Sequence, residues 1–426
     1  MLVEFSVKNF LSICEQTTLS LVAAKGQELE ETNTFQPDAP STPAMLRSAA
    51  IYGPNAAGKS NLIRALQTMA RMVTKSAGQS QTGEALAVTP FLLNEDAPSQ
   101  PSEFEVTFIS QGVRYQYGFA VTKERITEEW LLAYPKGRPQ RWIDRTYDEK
   151  SQSYAWRTMD KLTGRKRTWQ AATRPNALFL STAVQLNNQQ LKPVFDWFSD
   201  TLHVAGFGRW DPAFSIDLCG KEKARDRIVS FLQAADIDIA GVELQKEKFN
   251  INDLPDDMPE AIKSMIAERY QNKPLVSVKT THVSDSGEKV LFDLDVESDG
   301  AQKIFALAGP WLDTLENGYV LIIDELHDNL HPLIVKFLVK LFHSENSNPK
   351  NAQLIFSTHD TSILNQEIFR RDQIWFCDKD KDHATQLYPL TDFSPRKGVE
   401  NLERGYLSGR YGALPYLKNI NKVMEY

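Results

Sequence analysis

One stretch of the sequence, residues 53–60, combines residue types and a spacing that suit the binding of a polyphosphate. It reads GPNAAGKS, which fits G-x-x-x-x-G-K-[S/T], and it lies between the apolar run SAAIYG and a helical pattern that starts near Lys59. Glycines lack a Cβ, so backbone N–H groups can converge on phosphate oxygens, and the first turn of a helix adds unpaired amides. We expect Lys59 to bridge the β- and γ-phosphates and the Ser60 hydroxyl to bind Mg²⁺. The residues expected to contact the bound nucleotide here are Gly53, Pro54, Asn55, Ala56, Ala57, Gly58, Lys59, Ser60 and Asn61.

Two acids, Asp324 and Glu325, follow the apolar run in YVLIIDEL. The carboxyl end of a buried strand is where ligands of open α/β sheets bind. We expect Asp324 to hold Mg²⁺ through water, and Glu325 to orient and deprotonate an attacking water. The alternative is a pair of strand-end acids that face solvent or cap the next helix.

His359 ends the next predicted strand, in LIFSTHD, where an imidazole can hydrogen-bond the γ-phosphate and respond to its loss. The alternative is an ordinary surface histidine. Ser298 and Gly300, in ESDGAQKIFALAG, precede a predicted helix and suit a phosphate contact, although local chemistry alone favours a plain N-cap.

The elements that must position these side chains follow from the hydrophobic pattern. Alternation predicts paired strands over 2–23 and hairpins over 103–134 and around SDSGEK. The last third alternates strand, helix and strand, which predicts a parallel sheet covered on both faces, whereas the first third is richer in hairpins. We therefore expect a mixed α/β fold. Helices are predicted from residue 59 onwards and over 221–234, 258–271, 301–316 and 332–343.

Composition excludes several classes of protein. The chain has 426 residues and a net charge of −7, which argues against a broadly basic surface. Its three cysteines, Cys14, Cys219 and Cys377, lie too far apart to predict a zinc site or a disulfide framework. The start resembles no signal peptide, and no window has the roughly 18 apolar residues of a membrane helix. We expect a cytoplasmic protein without a membrane contact.

Together these motifs resemble the ABC-type ATPase head of SMC, Rad50 and RecF proteins. The order of phosphate loop, serine-glycine signature, Asp-Glu strand and switch histidine matches, and HDNLHP at 327–332 occupies the position of the D-loop. The resemblance implies a P-loop head with a mixed sheet, a hairpin-rich N-terminal lobe and a helical insertion. It implies ATP and Mg²⁺ as ligands and Glu325, His359 and Lys59 as the hydrolytic residues. It also implies a homodimer in which Ser298 and Gly300 of one copy cap the γ-phosphate on the other. The signature reads ESDGAQ where transporters have a leucine-serine-glycine-glycine-glutamine run, and the span before it is too short for SMC-type arms.

A second resemblance is to the stand-alone OLD-like or AAA-15 ATPases of bacterial anti-phage and restriction-linked loci, of the RloA or AbiL type. The matching segments are VKNFLSI, PSEFEVTF, NALFLSTAVQLNN, DGAQKIFALAGPWLDTLENG and YLSGRYGALP. It implies an ATPase switch that forms a homodimer or higher oligomer and regulates a separately encoded effector, often a nuclease. The domain boundaries expected on this basis are 1–215 for the first part of the head, 216–275 for a mainly helical insertion, and 276–426 for the rest.

Three weaker signals leave alternatives open. Gln185 ends the buried apolar run NALFLSTAVQ. The ABC-type resemblance implies that it is the Q-loop glutamine, which couples Mg²⁺ to the inserted lobe, and the alternative is a strand-end glutamine without a special role. The run KLTGRKRTW at 161–169 combines basic residues with a tryptophan, which suits DNA contact, or it is a solvated hairpin tip. YLSGRYGALPYL at 406–417 is a docking or subunit-contact element, or a packed tail. The alternative functions are a DNA-binding repair ATPase of the RecF or Rad50 type and a scaffold that binds ATP but hydrolyses it slowly.

Overall fold

The structure is a computed structural model, and it divides the chain into two compact units. Unit 1 comprises Met1–Phe207 and Thr314–Tyr426, and unit 2 comprises Gly208–Asp313. The sequence-based boundaries at 215 and 275 stay predictions, and much of the helix predicted over 258–271 lies outside the described residues. The structure describes residues 1–79, 81, 83–157, 159–205, 211–248, 258–260, 262–265, 274–396, 398 and 400–416.

The described part of the chain contains runs of consecutive strands and runs of consecutive helices. The strands are β1 Leu2–Lys8, β2 Thr17–Ser20, β3 Thr34–Phe35, β4 Met45–Leu46, β5 Ser48–Tyr52, β6 Ser102–Ser110, β7 Val113–Val121, β8 Ile126–Tyr134, β9 Gln140–Asp148, β10 Ser153–Trp156, β11 Leu202–Ala205, β12 Gly241–Lys248, β13 Pro274–Val283, β14 Lys289–Asp293, β15 Val320–Ile323, β16 Gln353–Ser357, β17 Ile374–Lys379 and β18 Thr385–Pro389. The helices are α1 Glu30–Asn33, α2 Lys59–Gln79, α3 Lys166–Ala172, α4 Phe179–Gln185, α5 Lys192–Asp196, α6 Ala213–Cys219, α7 Glu222–Ala234, α8 Asp299–Asn317, α9 Pro332–His343 and α10 Leu402–Leu407.

A seven-stranded antiparallel sheet forms the hairpin-rich part of unit 1, in the order β10-β9-β8-β7-β6-β1-β2. Strands β6 and β7 are joined by Gln111 and Gly112, whose φ angles of 50° and 72° suit a tight hairpin turn. Burial alternates along β6, so that Phe104, Val106 and Phe108 point into the core. The predicted pairing within 2–23 and the first hairpin are confirmed.

A six-stranded mixed sheet runs through the rest of unit 1, in the order β11-β15-β16-β5-β17-β18. Its neighbours are parallel except for β17 and β18, which are antiparallel. Every residue of β5, β15 and β16 is buried, as expected for parallel strands covered on both faces. The predicted mixed α/β fold is confirmed.

Helix α2 packs its apolar stripe into the core of unit 1. Leu62, Ile63, Leu66, Met69 and Val73, at the i, i+3, i+4 spacing that predicts a helix, are all buried. The helix begins at Lys59, directly after the glycine-rich loop. The fold therefore places the first turn of α2 against that loop.

Unit 2 contains helices α6 and α7 and a three-stranded antiparallel sheet, β12-β13-β14. The hairpin predicted around SDSGEK is confirmed by the pairing of β13 with β14. Helix α7 buries Ile228, Phe231 and Leu232 on one face. In the part of the chain that the structure describes, no helix is both long and apolar enough to span a bilayer.

Two local predictions are wrong. The run that ends at Gln185 is helix α4 and not a strand, and the side chain of Gln185 is exposed. A short apolar run has no period that separates a buried helix from a buried strand, which explains the error. The basic run 161–169 is not a hairpin tip, because Lys166 begins α3 and Trp169 is buried.

Candidate functional site

Three strands bring the predicted phosphate and metal groups to one edge of the six-stranded sheet. The loop at 53–58 follows β5, Asp324 and Glu325 follow β15, and His359 lies two residues after β16. Strand β16 lies between the other two, with Ile323 opposite Phe356 and Ser357 opposite Ile51. Since parallel strands end at the same edge, the loop, the acids and the histidine meet there.

Two positions of the loop, 53 and 58, require glycine, both because of their backbone conformation and because neighbouring atoms leave no room for a side chain. Gly53 and Gly58 have φ angles of 152° and 111°. A Cβ added to Gly53 would lie 2.1 Å from the Cys377 carbonyl oxygen, and one on Gly58 would lie 2.0 Å from Thr385 Oγ1. Strands β17 and β18 therefore exclude larger side chains from both positions.

A chain of side-chain hydrogen bonds connects the start of α2 with the glycine-rich loop at 53–58. Asn61 Nδ2 donates to Ser12 Oγ at 2.7 Å, and Thr385 Oγ1 donates to the Ala57 carbonyl oxygen at 2.9 Å. Ser12 and Thr385 are joined by a 2.7 Å hydroxyl contact, which completes the chain from Asn61 to the loop. The sequence analysis missed Ser12 and Thr385, although Ser12 lies within the segment VKNFLSI. The predicted nucleotide contact of Asn61 stays a prediction.

The Lys59 side chain lies over its own loop. Its Nζ donates to the carbonyl oxygens of Gly53 at 2.7 Å and Pro54 at 3.0 Å. Burial lowers the pKa of Lys59, while the nearby Cys377, Glu325 and Asp324 groups act in the opposite direction. Lys59 therefore interacts electrostatically with the carboxylates of Asp324 and Glu325.

Ser357 orients the two acids. Its Oγ donates to Asp324 Oδ1 at 2.5 Å and accepts from the Glu325 backbone N–H at 2.9 Å. Glu325 has a φ of 52°, in the left-handed region that costs a non-glycine residue free energy. Such outliers persist where neighbours hold them, and Ser357 supplies that hold. Nothing in the sequence around Ser357 singled it out.

His359 is hydrogen-bonded to a second histidine from the predicted D-loop. The Nε2 atoms of His327 and His359 lie 2.9 Å apart, and His327 Nδ1 lies 3.0 Å from Thr358 Oγ1. The Asp360 N–H donates to the same Thr358 oxygen at 3.0 Å. One ring must donate and the other accept, so the tautomer of each imidazole depends on that of the other. The sequence predicted His359 but gave His327 no role.

Ser298 and Gly300 lie in unit 2, at the start of α8. Ser298 Oγ accepts a hydrogen bond from the Ala301 backbone N–H at 3.2 Å, which is the N-cap geometry that local chemistry favoured. Their contact with the γ-phosphate of a second copy stays a prediction.

Gln185 is the last residue of α4. The position of this helix is set in part by hydrogen bonds at its first turn. The buried Glu129 carboxylate accepts from the Phe179 N–H at 2.6 Å and the Leu180 N–H at 2.9 Å, at the opposite end of α4. Arg145 lies 3.5 Å from Glu129, and both side chains are fully buried. Burial raises the pKa of Glu129, and Arg145 opposes that shift. The metal role of Gln185 stays a prediction.

Comparisons with known proteins identify a family. Residues 48–365, about three quarters of the chain, match the family described as "AAA domain, putative AbiEii toxin, Type IV TA system". No match to a curated protein reaches significance.

Among solved structures, the SMC head domain from Thermotoga maritima is 14% identical with a TM-score of 0.39, covering 91% of this chain and 98% of that one. An Smc head bound to the C-terminal winged-helix domain of ScpA is 13% identical with a TM-score of 0.42, covering 91% and 97%. The recombination mediator RecF with ATP is 14% identical with a TM-score of 0.34, covering 85% and 94%. Because the family match spans most of the chain and includes the glycine-rich loop at 53–60, Asp324, Glu325 and His359, the chain belongs to this AAA-domain family of ATPases.

Proposed function

We propose that the chain is an ATP-hydrolysing switch of the OLD-like type. Two copies close around ATP and Mg²⁺, hydrolysis opens them, and the change regulates a separate effector, a nuclease, in bacterial anti-phage defence. The observation that carries the proposal is the meeting of the loop, the acid pair and His359 at one sheet edge. The resemblance of five segments to ATPases of anti-phage loci supports a role in anti-phage defence.

Each residue has a chemical role in this proposal. The loop amides and Lys59 bind the β- and γ-phosphates, and His359 donates a hydrogen bond to the γ-phosphate. Glu325, held in place through Ser357, accepts a proton from the attacking water.

The Mg²⁺ site fits the oxygen groups that the structure presents. Mg²⁺ prefers one or two protein oxygens together with water and substrate phosphates. Ser60 offers a hydroxyl in the first turn of α2, and Asp324 offers a carboxylate that Ser357 orients. When bound, Mg²⁺ would neutralise charge that develops on the phosphates.

The experiment is a phosphate-release assay with two variants. Lys59→Ala should abolish turnover. Glu325→Gln should lower it roughly 100-fold or more, because a general base contributes about that factor, and ATP should remain bound in a dimer. Glu124→Gln, which changes an exposed acid in a hairpin turn, is the matched control. Unchanged turnover in Glu325→Gln would remove Glu325 as the base.

Complementation tests the sharing of sites between copies. A chain with Lys59→Ala and a chain with Ser298→Arg should each be inactive, while co-expressed chains should regain turnover. In a mixed dimer, one of the two ATP sites combines the unchanged loop of the Ser298→Arg chain with the unchanged Ser298 of the Lys59→Ala chain. If the mixture stays inactive although both chains associate, Ser298 does not act on a second copy.

A DNA-repair ATPase is the second candidate, and one observation supports it. Lys161 and Arg165, which precede α3, and Arg167, in its first turn, are exposed cations. Trp169 is buried beneath Gly164, so it offers no face for a base to stack on. Binding in a gel-shift assay that weakens steeply with salt would favour this candidate, and an absence of binding at low salt would exclude it.

A further inference from the structure

Strand β14 presents an apolar edge of the sheet in unit 2. Among the described residues it pairs only with β13, and all five of its side chains are exposed. Val290, Leu291 and Phe292 are 39%, 41% and 42% exposed, and the flanking Val283 and Val296 are 58% and 69% exposed. Exposed apolar edge strands are templates for pairing with another strand, because their outward backbone groups are ready to hydrogen-bond.

The order of residues in β14 is self-complementary. It reads Lys289-Val290-Leu291-Phe292-Asp293. When two copies pair antiparallel about Leu291, Lys289 of each lies opposite Asp293 of the other, and Val290 lies opposite Phe292. Parallel pairing in register would instead place lysine against lysine and aspartate against aspartate, which is unfavourable. The charges therefore specify both the partner and the direction.

The rest of unit 2 holds this edge in place. Asp293 forms an ion pair with Lys279 on β13, and the register runs from Lys279↔Asp293 to Val283↔Lys289. Glu297, just after the strand, bonds with His282 Nε2 at 2.7 Å and with the Thr280 hydroxyl. A carboxylate has two oxygens, so Asp293 can contact Lys279 and a second lysine at once. The strand is thus ordered before a partner arrives, which lowers the entropy lost on pairing.

We propose that β14 docks on β14 of a second copy of this chain, as an antiparallel pair centred on Leu291, and that this dimer forms without nucleotide. It is distinct from the ATP-dependent closure proposed above. The β14 dimer should persist in Lys59→Ala, which removes the ATP-dependent closure. The two proposals can therefore fail independently of each other.

A charge-swap experiment on the full-length, nucleotide-free protein tests the pairing by sedimentation over a concentration series. Lys289→Asp and Asp293→Lys, each alone, place like charges opposite one another and should raise the dimer dissociation constant at least tenfold. An equimolar mixture of the two should regain the dimer, as should the chain that carries both changes. Lys223→Asp, which reverses an exposed charge on α7, is the matched control and should behave as the parent chain. Circular dichroism checks that every variant is folded.

A cross-link supplies the second readout. Leu291→Cys places two thiols opposite each other, at the short Cα separations of antiparallel pairs that a disulfide can span. Mild oxidation should give a covalent dimer, whereas Val296→Cys, which is exposed but lies outside the strand, should not. A monomeric parent chain at every concentration, or a folded mixture of charge-swapped chains that stays monomeric, would overturn the proposal.

Discussion

At the scale of single residues, the candidate site is held together by bonds among its own side chains. Ser357 joins Asp324 to the Glu325 backbone, and His327 joins His359 to Thr358. Each of these contacts restricts a group that the proposed reaction needs in one orientation. Preorganised groups lose less entropy and need less rearrangement when charge develops in a transition state.

His327 should therefore act as a positioning residue for His359. We expect His327→Leu to lower kcat roughly tenfold, since one hydrogen bond of about 1.4 kcal/mol would no longer orient His359. The KM for ATP should change little, because the phosphate loop is untouched. His327→Gln keeps an amide near the Nε2 position and should retain most of the turnover. Steady-state phosphate release measures both constants. Equal losses in the two variants, accompanied by a lower melting temperature, would make His327 a structural residue only.

At the scale of elements, buried polar side chains join the strands and helices of unit 1. Gln353 on β16 accepts from the Leu2 N–H at 2.6 Å and donates to the Leu2 carbonyl oxygen at 3.0 Å, which links the two large sheets. His343, at the end of α9, contacts Ser48 Oγ on β5 at 2.8 Å. Leaving a buried polar group without its partner is costly, so these bonds specify which elements pack together.

His343 makes the stability of unit 1 depend on pH. Burial, together with Arg47 and Lys340, lowers its pKa from 6.5 to about 3. The unfolded chain then binds a proton below pH 6.5 that the folded chain does not, so acidification favours unfolding. Between pH 6.5 and 3, each pH unit should remove up to about 1.4 kcal/mol of unfolding free energy through this residue.

Urea unfolding at pH 7, 6 and 5 measures this dependence. His343→Gln keeps hydrogen-bonding capacity without a titrating ring, so its stability should fall less steeply on acidification than that of the parent chain. His383→Asn, which replaces an exposed histidine in a turn, is the matched control for removal of an imidazole. Parallel curves for the parent chain and His343→Gln would show that His343 does not titrate in this range.

At the scale of the whole molecule, the chain offers two separate candidate contacts with other copies. The ATP-dependent contact proposed above uses the loop edge of unit 1 and, from the second copy, Ser298 and Gly300 of unit 2. The nucleotide-independent contact uses β14 of unit 2. Two self-complementary surfaces on one chain give closed tetramers or longer assemblies, while one surface gives only dimers.

The two proposals together predict a set of particle masses. Glu325→Gln with ATP should form assemblies larger than a dimer, because both contacts are then made. Adding Lys289→Asp to this variant should reduce the assemblies to dimers that form only with ATP. Lys59→Ala alone should form dimers with or without ATP. The chain with Lys59→Ala and Lys289→Asp should be monomeric. Mass photometry reads these outcomes directly, and a dimer in the last variant would show a third contact.

The sequence by itself determined the features that depend on short-range spacing. The octet at 53–60, the acids after YVLII and the histidine after LIFST each combine a local pattern with a strand or helix that local periodicity predicts. The parallel order of these strands then requires that their carboxyl ends share an edge. For this reason the candidate site and the mixed α/β fold could be predicted without a structure.

Only the tertiary structure decided which distant residues support that site. Thr385 lies 328 residues from Ala57, and Ser357 lies 33 residues from Asp324, so no local pattern connects them. The first two N–H groups of α4 donate to Glu129, which lies 50 residues before Phe179. Such contacts form when strands pair and side chains are buried, because burial makes an unbonded polar group costly and so selects the partners that satisfy it.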